Sequence, residues 1–191
     1  MWIVLLPAGA QAGDPRTHDG FFLRLSAGFG YAGTKIDLGA SDLEVTGATG
    51  DVNFAIGGIV APNLALHGTI LGWSASEPDV ELTGVGSGEL NGDVTMSALG
   101  AGVTYYFMPS NLYLSGTVGF GRLEVDLSGG PEGDTDAGLV LEFVVGKEWW
   151  TGDNWGLGLA GAVALHSIPD GDLDEDWKGT SLGLRFSATL N

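Results

Sequence analysis

The chain has 191 residues, 44% of them hydrophobic, with 34 glycines, no cysteine and a formal net charge of −17. That length makes one domain the expectation, and the missing cysteine excludes a disulfide framework or a thiolate metal site. The acidic balance, with only seven lysines and arginines in total, excludes a surface that would bind nucleic-acid phosphates.

No window holds the roughly 20 consecutive apolar residues that a membrane helix needs. Met1 to Ala12 (MWIVLLPAGAQA) has an apolar core, Trp2 to Leu6, and a small-x-small end at Ala10-Gln11-Ala12. This is the pattern of a truncated export signal that lacks its basic start. A polar lead, Gly13 to Gly20, separates it from the rest, which begins at Phe21 and runs to Asn191.

From Phe21 on, apolar residues recur at every second position, the period of a strand. In the first run Leu23, Leu25, Ala27, Phe29 and Tyr31 alternate with Arg24, Ser26, Gly28 and Gly30. A polar segment, Ala32 to Gly50, is expected to be a loop. The second run, Asp51 to Ala61, sets Val52, Phe54, Ile56 and Val60 against Asn53, Ala55 and Gly57, and Pro62-Asn63 makes a minimal turn. In the third, Leu64 to Ser74, Leu64, Leu66 and Ile70 oppose His67 and Thr69. Leu71 and Trp73 fall on the His67 face, and a bulge that re-aims them is the expectation.

After Ala75 to Gly92, a second polar segment, a fourth run spans Val94 to Met108. Leu99, Ala101, Val103, Tyr105 and Phe107 share one face there, and Gly100, Gly102, Thr104 and Tyr106 the other. Pro109-Ser110-Asn111 turns into the fifth run, Leu112 to Val125, where Leu112, Leu114, Val118 and Phe120 oppose Tyr113, Ser115, Thr117 and Gly119. Beyond the acidic Asp126 to Ala137 comes the clearest pair, Gly138 to His166. Leu139, Leu141, Phe143 and Val145 oppose Val140, Glu142, Val144, Gly146 and Glu148. After the turn Thr151-Gly152-Asp153-Asn154, Trp155, Leu157, Leu159, Val163 and Leu165 oppose glycines and alanines. Trp149, Trp150 and Trp155 gather around that turn as an expected aromatic girdle at the periplasmic interface. A last polar segment, Ser167 to Gly179, leads to the eighth run, where Leu182, Leu184, Phe186 and Leu190 alternate with Ser181, Arg185, Ser187 and Thr189.

Eight strands joined by alternating long and short connections predict an all-β, eight-stranded antiparallel up-and-down transmembrane β-barrel. Its short turns and both termini would lie in the periplasm, and the longer loops outside. The alternative is a soluble barrel, which would place its large apolar residues inside. Here one face is mostly Gly, Ala, Ser and Thr with a few charges, which suits a narrow polar lumen, and the large aliphatics are left for lipid.

These runs and turns, together with APNLALHGTILGWS (Ala61 to Ser74) and GKEWWTGDNWGLG (Gly146 to Gly158), resemble the small eight-stranded bacterial outer-membrane β-barrels of the OmpX/OmpA/OmpW kind, in an uncharacterised subgroup. The ending SLGLRFSATLN is similar to the signal read by the barrel-assembly machinery, with Leu190-Asn191 where that signal has an aromatic residue. The resemblance implies a Gram-negative outer membrane and a monomer held in outer-membrane lipid. Proteins of this class include surface-interaction proteins, narrow pores and a few lipid-modifying enzymes, so fold alone does not choose among these.

No catalytic, cofactor or metal site is expected. Asp170-x-Asp172-x-Asp174 opens like a calcium loop, but Glu175 stands where the loop turns on glycine and Ser181 where it needs a bidentate acid. His166 and Ser167 are neighbours on a strand and point to opposite faces, so they cannot act as base and nucleophile. The acids of the long connections read as a solvated face, His18 as exposed, and Lys147 and Arg122 as interfacial. The inner faces carry Arg24, Glu142, Glu148 and Arg185, expected as a charge network that plugs the lumen, with Tyr106, Tyr113 and His67 beside it. The expected function is a non-enzymatic outer-membrane barrel with a structural or surface-interaction role through its acidic loops. The alternatives are a narrow passive channel for small solutes or a lipid-modifying enzyme. The Ala10-x-Ala12 pattern also predicts that intact mass of the exported protein will place its N-terminus at Gly13 and not at Met1.

Overall fold

The computed structural model describes residues 16–191, apart from positions 131, 172 and 174 and the side chain at position 132. The expected export segment lies outside the described residues. The strands are β1 (Phe21–Asp37), β2 (Asp42–Ala61), β3 (Leu64–Ser76), a short hairpin of β4 (Asp79–Leu82) and β5 (Gly86–Glu89), β6 (Gly92–Phe107), β7 (Leu112–Leu127), the short β8 (Glu132–Asp134), β9 (Gly138–Trp150), β10 (Trp155–Pro169) and β11 (Asp176–Leu190). Eight of them form an antiparallel ring in the order β1-β11-β10-β9-β7-β6-β3-β2, and β1 pairs with both β11 and β2 to close it. Closure is what lets strands cross a bilayer, since hydrocarbon offers no partner to an open edge. β4 extends the sheet at the end of β2, and β8 pairs with the end of β7.

The polar segment expected as a loop after Tyr31 is strand. β1 and β2 stay paired from Gly33↔Thr46 to Asp37↔Asp42, and the chain reverses only at 38–41. There Leu38 N–H donates to Ser41 O at 2.9 Å, and Gly39, at φ +82°, takes a backbone conformation that a side chain would strain. Polar composition misled because the outer face of this hairpin is polar, while its inner face, with Ala32, Thr34 and Ile36, stays buried.

Leu71 and Trp73 also depart from expectation. No register shift re-aims them; the single shift in the β2–β3 ladder lies between Ile59 and Ala61, at the other end. Both side chains stay inside and are almost fully buried, in a cluster with Ala75, Val94, Met96, Ala98, Leu123, Val140 and Ile168. Outside, over the same height, the surface changes from aliphatic to polar. Leu99, Phe120 and Leu165 lie below, and Ser74, Ser76, Asp93, Arg122, Glu124 and Lys178 lie above. The barrel therefore reverses its faces along its length. In the lower part lipid-facing aliphatics surround a polar lumen, and in the upper part a polar wall surrounds an apolar core.

The eight ring strands are 13 to 20 residues long, against the roughly 9–11 that a tilted crossing needs. The surplus carries the inverted part out of the bilayer. Phe143, outward and more than half exposed in the middle of β9, sits in the aliphatic band, whereas Ser76, outward on β3, sits in the polar wall. Phe143→Arg is expected to cost about 2–4 kcal/mol and Ser76→Arg no more than about 1 kcal/mol. Reversible urea unfolding in lipid vesicles checks the difference; equal costs would refute the face assignment.

Candidate functional site in the lumen

An eight-stranded barrel is only wide enough for its own side chains to fill it, so the lumen is read as a stack of layers from the short-turn end upward. Residues 16–20 of the polar lead close the bottom. Arg16 N–H donates to Asp153 O at 2.7 Å, and Gly20 O accepts from Ile59 N–H at 2.8 Å. His18, expected to be exposed, is buried: its ring stacks on Tyr106 at 3.5 Å and lies 5.0 Å from Trp150. Its Nε2 is hydrogen-bonded to Asn111 Oδ1 at 2.7 Å. The open rims of Tyr106 and Trp150 offer flat apolar faces that a planar polar ring can cover. The C-terminus is latched at the same end, with Asn154 Nδ2 donating to Asn191 O at 2.9 Å.

Above the lead lies Arg24, with its guanidinium carbon 4.2 Å from the Tyr113 ring centre and 5.1 Å from that of Phe22. Its Nη2 donates to Thr104 Oγ1 at 2.9 Å. Glu148 is the nearest carboxylate, at 3.9 Å from Nε, close enough for charge attraction but too far for a hydrogen bond. The carboxylate is held instead by Thr189 Oγ1, donating at 2.6 Å. Arg24 therefore rests on aromatic faces more than on an ion pair.

The middle layer is built differently. Arg185 Nε donates to Asp51 Oδ1 and its Nη2 to Glu142 Oε1, each at 2.6 Å, and Asn53 Nδ2 donates to Glu142 Oε2 at 2.9 Å. None of these charged groups is more than 5% exposed. The bridge spans three strands because the positions between are small. A Cβ on Gly183 would stand 2.5 Å from the Asp51 carboxylate, and Ala160 lies between β9 and β11. His67 is lumen-packed, with Nδ1 at 2.7 Å from Thr69 Oγ1 and Nε2 at 3.0 Å from Thr104 Oγ1. The cavity lined by these charged layers has a volume of about 10 Å³, about one water.

The structure thus brings Arg185 onto Glu142 and sets Arg24 near Glu148. It adds Asp51, which makes two arginines face three carboxylates and not the expected two. Above the charged layers the lumen is filled by the apolar cluster around Trp73, where polar side chains had been expected. His166 turns into this layer, with Nε2 at 2.9 Å from Thr34 Oγ1, and Ser167 turns the other way to donate to Asp176 Oδ2 at 2.8 Å. Of the three girdle tryptophans, Trp149 and Trp155 face outward and are about half exposed, whereas Trp150 shares the inner face with Glu148 and packs near His18. Lys147 Nζ lies 5.5 Å from the Trp149 ring centre and donates to Ser110 O. Among the described residues no group of acids and histidines is arranged to hold a metal ion.

No protein-family model and no curated protein matches the chain. Solved structures do. Neisserial surface protein A superposes with a TM-score of 0.56 at 16% identity, over 89% of this chain and 96% of that one. The outer membrane protein OprG from Pseudomonas aeruginosa superposes with a TM-score of 0.54 at 14% identity, over 93% and 100%. The fold is that of the small outer-membrane barrels. The closed ring and aliphatic belt match the fold expected of an OmpX/OmpA/OmpW-like barrel.

Within this barrel the three-strand bridge should carry the most stability of any lumen contact. Arg185→Leu leaves two buried carboxylates without their cation, and breaking a buried pair in this way costs about 3–5 kcal/mol. Arg24→Leu should cost less, because Glu148 keeps its bond from Thr189. Urea midpoints of both variants in vesicles check the order, and a smaller loss for Arg185→Leu would contradict it.

Proposed function

We propose that the chain is a non-enzymatic, non-conducting outer-membrane barrel with a structural or surface-interaction role, presented through its acidic long-loop end. The observation that carries this reading is the filled lumen. A path would have to pass the lead, the Arg24 aromatic layer, the Arg185 bridge and the apolar cluster, and the space at the charged layers is about 10 Å³. The opposed directions of His166 and Ser167 support a role without catalysis. The buried imidazole–hydroxyl contacts, His67 with Thr69 and Thr104 and His166 with Thr34, are closed off from substrate.

In this reading outer-membrane lipid is the solvent of the aliphatic band, the barrel-assembly machinery inserts the chain, and the barrel works as a monomer. Both ends of the barrel domain lie at the short-turn side, where Leu23 pairs with Leu190, which supports periplasmic termini. At the opposite end, long paired strands carry Asp37, Asp42, Glu44, Asp79, Glu81, Glu89 and Asp126 on ordered hairpins. Such a rim repels anionic surfaces and favours basic partners over a distance of about 8–10 Å at physiological salt. Purified protein in planar bilayers is expected to give no steady conductance at any moderate voltage. Reproducible ion-selective openings from the wild-type protein would overturn the reading in favour of a channel.

A further inference from the structure

The apolar cluster under Trp73 does not reach the top of the barrel. Above it lies a cavity of about 310 Å³, at the lower end of the size range of small-molecule pockets. Its floor is Val94 and Leu123, which belong to the packed cluster. Its walls are Val45, Val80, Val125 and Trp177. The Trp177 indole is fixed as a wall, since its Nε1 donates to Asp170 Oδ2 at 2.9 Å. The same carboxylate is anchored through Oδ1, which accepts from Leu173 N–H at 3.2 Å. Such a chamber is an uncommon place for open space, because an apolar core in water normally closes on itself.

The polar edge of this vestibule has one sign. Asp134 and Asp170 line it, and no basic side chain does among the described residues. Lys35 and Lys178, paired across β1 and β11 at the same height, lie on the outer face of the wall. We propose that the vestibule is a binding site for a small apolar molecule that carries one ammonium group. The hydrocarbon or aromatic part enters against Trp177 and Val125, and the cation stays at the rim beside Asp134 and Asp170. The floor is closed, so the site is a blind pocket and does not depend on whether the barrel conducts.

The test uses the full chain in nanodiscs of zwitterionic lipid, with 4-phenylbutylammonium, the neutral 4-phenylbutanol and the anionic 4-phenylbutyrate as probes. The Trp177 indole N–H resonance, assigned by its loss in Trp177→Phe, reports occupancy. The ammonium is expected to shift it saturably and the alcohol to bind about fivefold more weakly, the worth of one partly exposed charge contact. The carboxylate is expected to produce no shift. Asp134→Asn should remove most of the difference between ammonium and alcohol and leave alcohol binding unchanged. Val125→Trp fills the cavity from the barrel wall and Val80→Trp from the β4–β5 hairpin, so that either variant, if the other fails to fold, should abolish saturable binding. Equal binding of ammonium and alcohol to the wild type would overturn the proposal. So would shifts that do not saturate or that persist unchanged in the filled variants, since these report partition into lipid.

Discussion

The bore of an eight-stranded ring is about one layer of side chains wide, and most of what distinguishes this barrel follows from that limit. A large residue can point inward only where its neighbours across the sheet give way. Tyr113 lies over Gly146, where any Cβ would run into its ring, and Asp51 reaches Arg185 over Gly183. Inner-face glycines here act as recesses cut for particular partners. This explains why so many glycines fall on one parity of the strands without interrupting the ladders. It also explains the contrast between the two arginines. Arg185 has recessed walls on both sides and bridges two carboxylates, whereas Arg24 is hemmed in by Phe22, Tyr106 and Tyr113 and makes its main contacts with ring faces.

The second constraint is the change of solvent along the barrel axis. In hydrocarbon, aliphatic side chains cost nothing on the outside, and the inner face can hold charges provided they are paired. Above the bilayer the outer wall meets water, and there the hydrophobic effect drives apolar residues into the bore at roughly 25 cal/mol per Å² buried. Trp73, Met96, Leu123 and Ile168 are where that exchange occurs. The strands cross the boundary without a bulge because alternation is preserved and only the identity of the two faces is exchanged. Ser74 and Thr95, hydrogen-bonded to each other at 2.8 Å on the outside, are the polar counterparts of Trp73 and Met96 within the wall.

This exchange also explains which parts of the structure could be read from sequence. Strand number, order and inner-face charges were legible because a period of two assigns Arg24, Glu142, Glu148 and Arg185 to one side once lipid is taken to be outside. The same rule placed Leu71 and Trp73 inside, but a fixed polar-in assumption turned that into an expected bulge. Asp51 was missed although it shares parity with Asn53, because it stood at the assumed edge of a strand that in fact begins at Asp42. Trp150 likewise shares parity with Glu148, and the expectation of an aromatic belt outweighed the alternation. His18 had no such signal at all. It lies before the first strand, where no periodicity says which way a side chain points, and its stacking on Tyr106 is a tertiary contact alone.

The layers differ in how they could be moved. The contacts of residues 16–20 with the barrel include backbone hydrogen bonds, the His18–Tyr106 stack and the His18–Asn111 contact, and they lie at the short-turn mouth, next to water. The Arg185 layer has no such neighbour, and moving the guanidinium out of reach strands Asp51 and Glu142 together in a dry bore. The apolar cluster above lies in the polar-walled part of the barrel, and opening it would expose apolar side chains to water. Any change of shape at the short-turn mouth therefore ends at the charged layers, and any molecule received at the long-loop mouth ends at the floor of Val94 and Leu123. The filled middle layers stand between the two mouths.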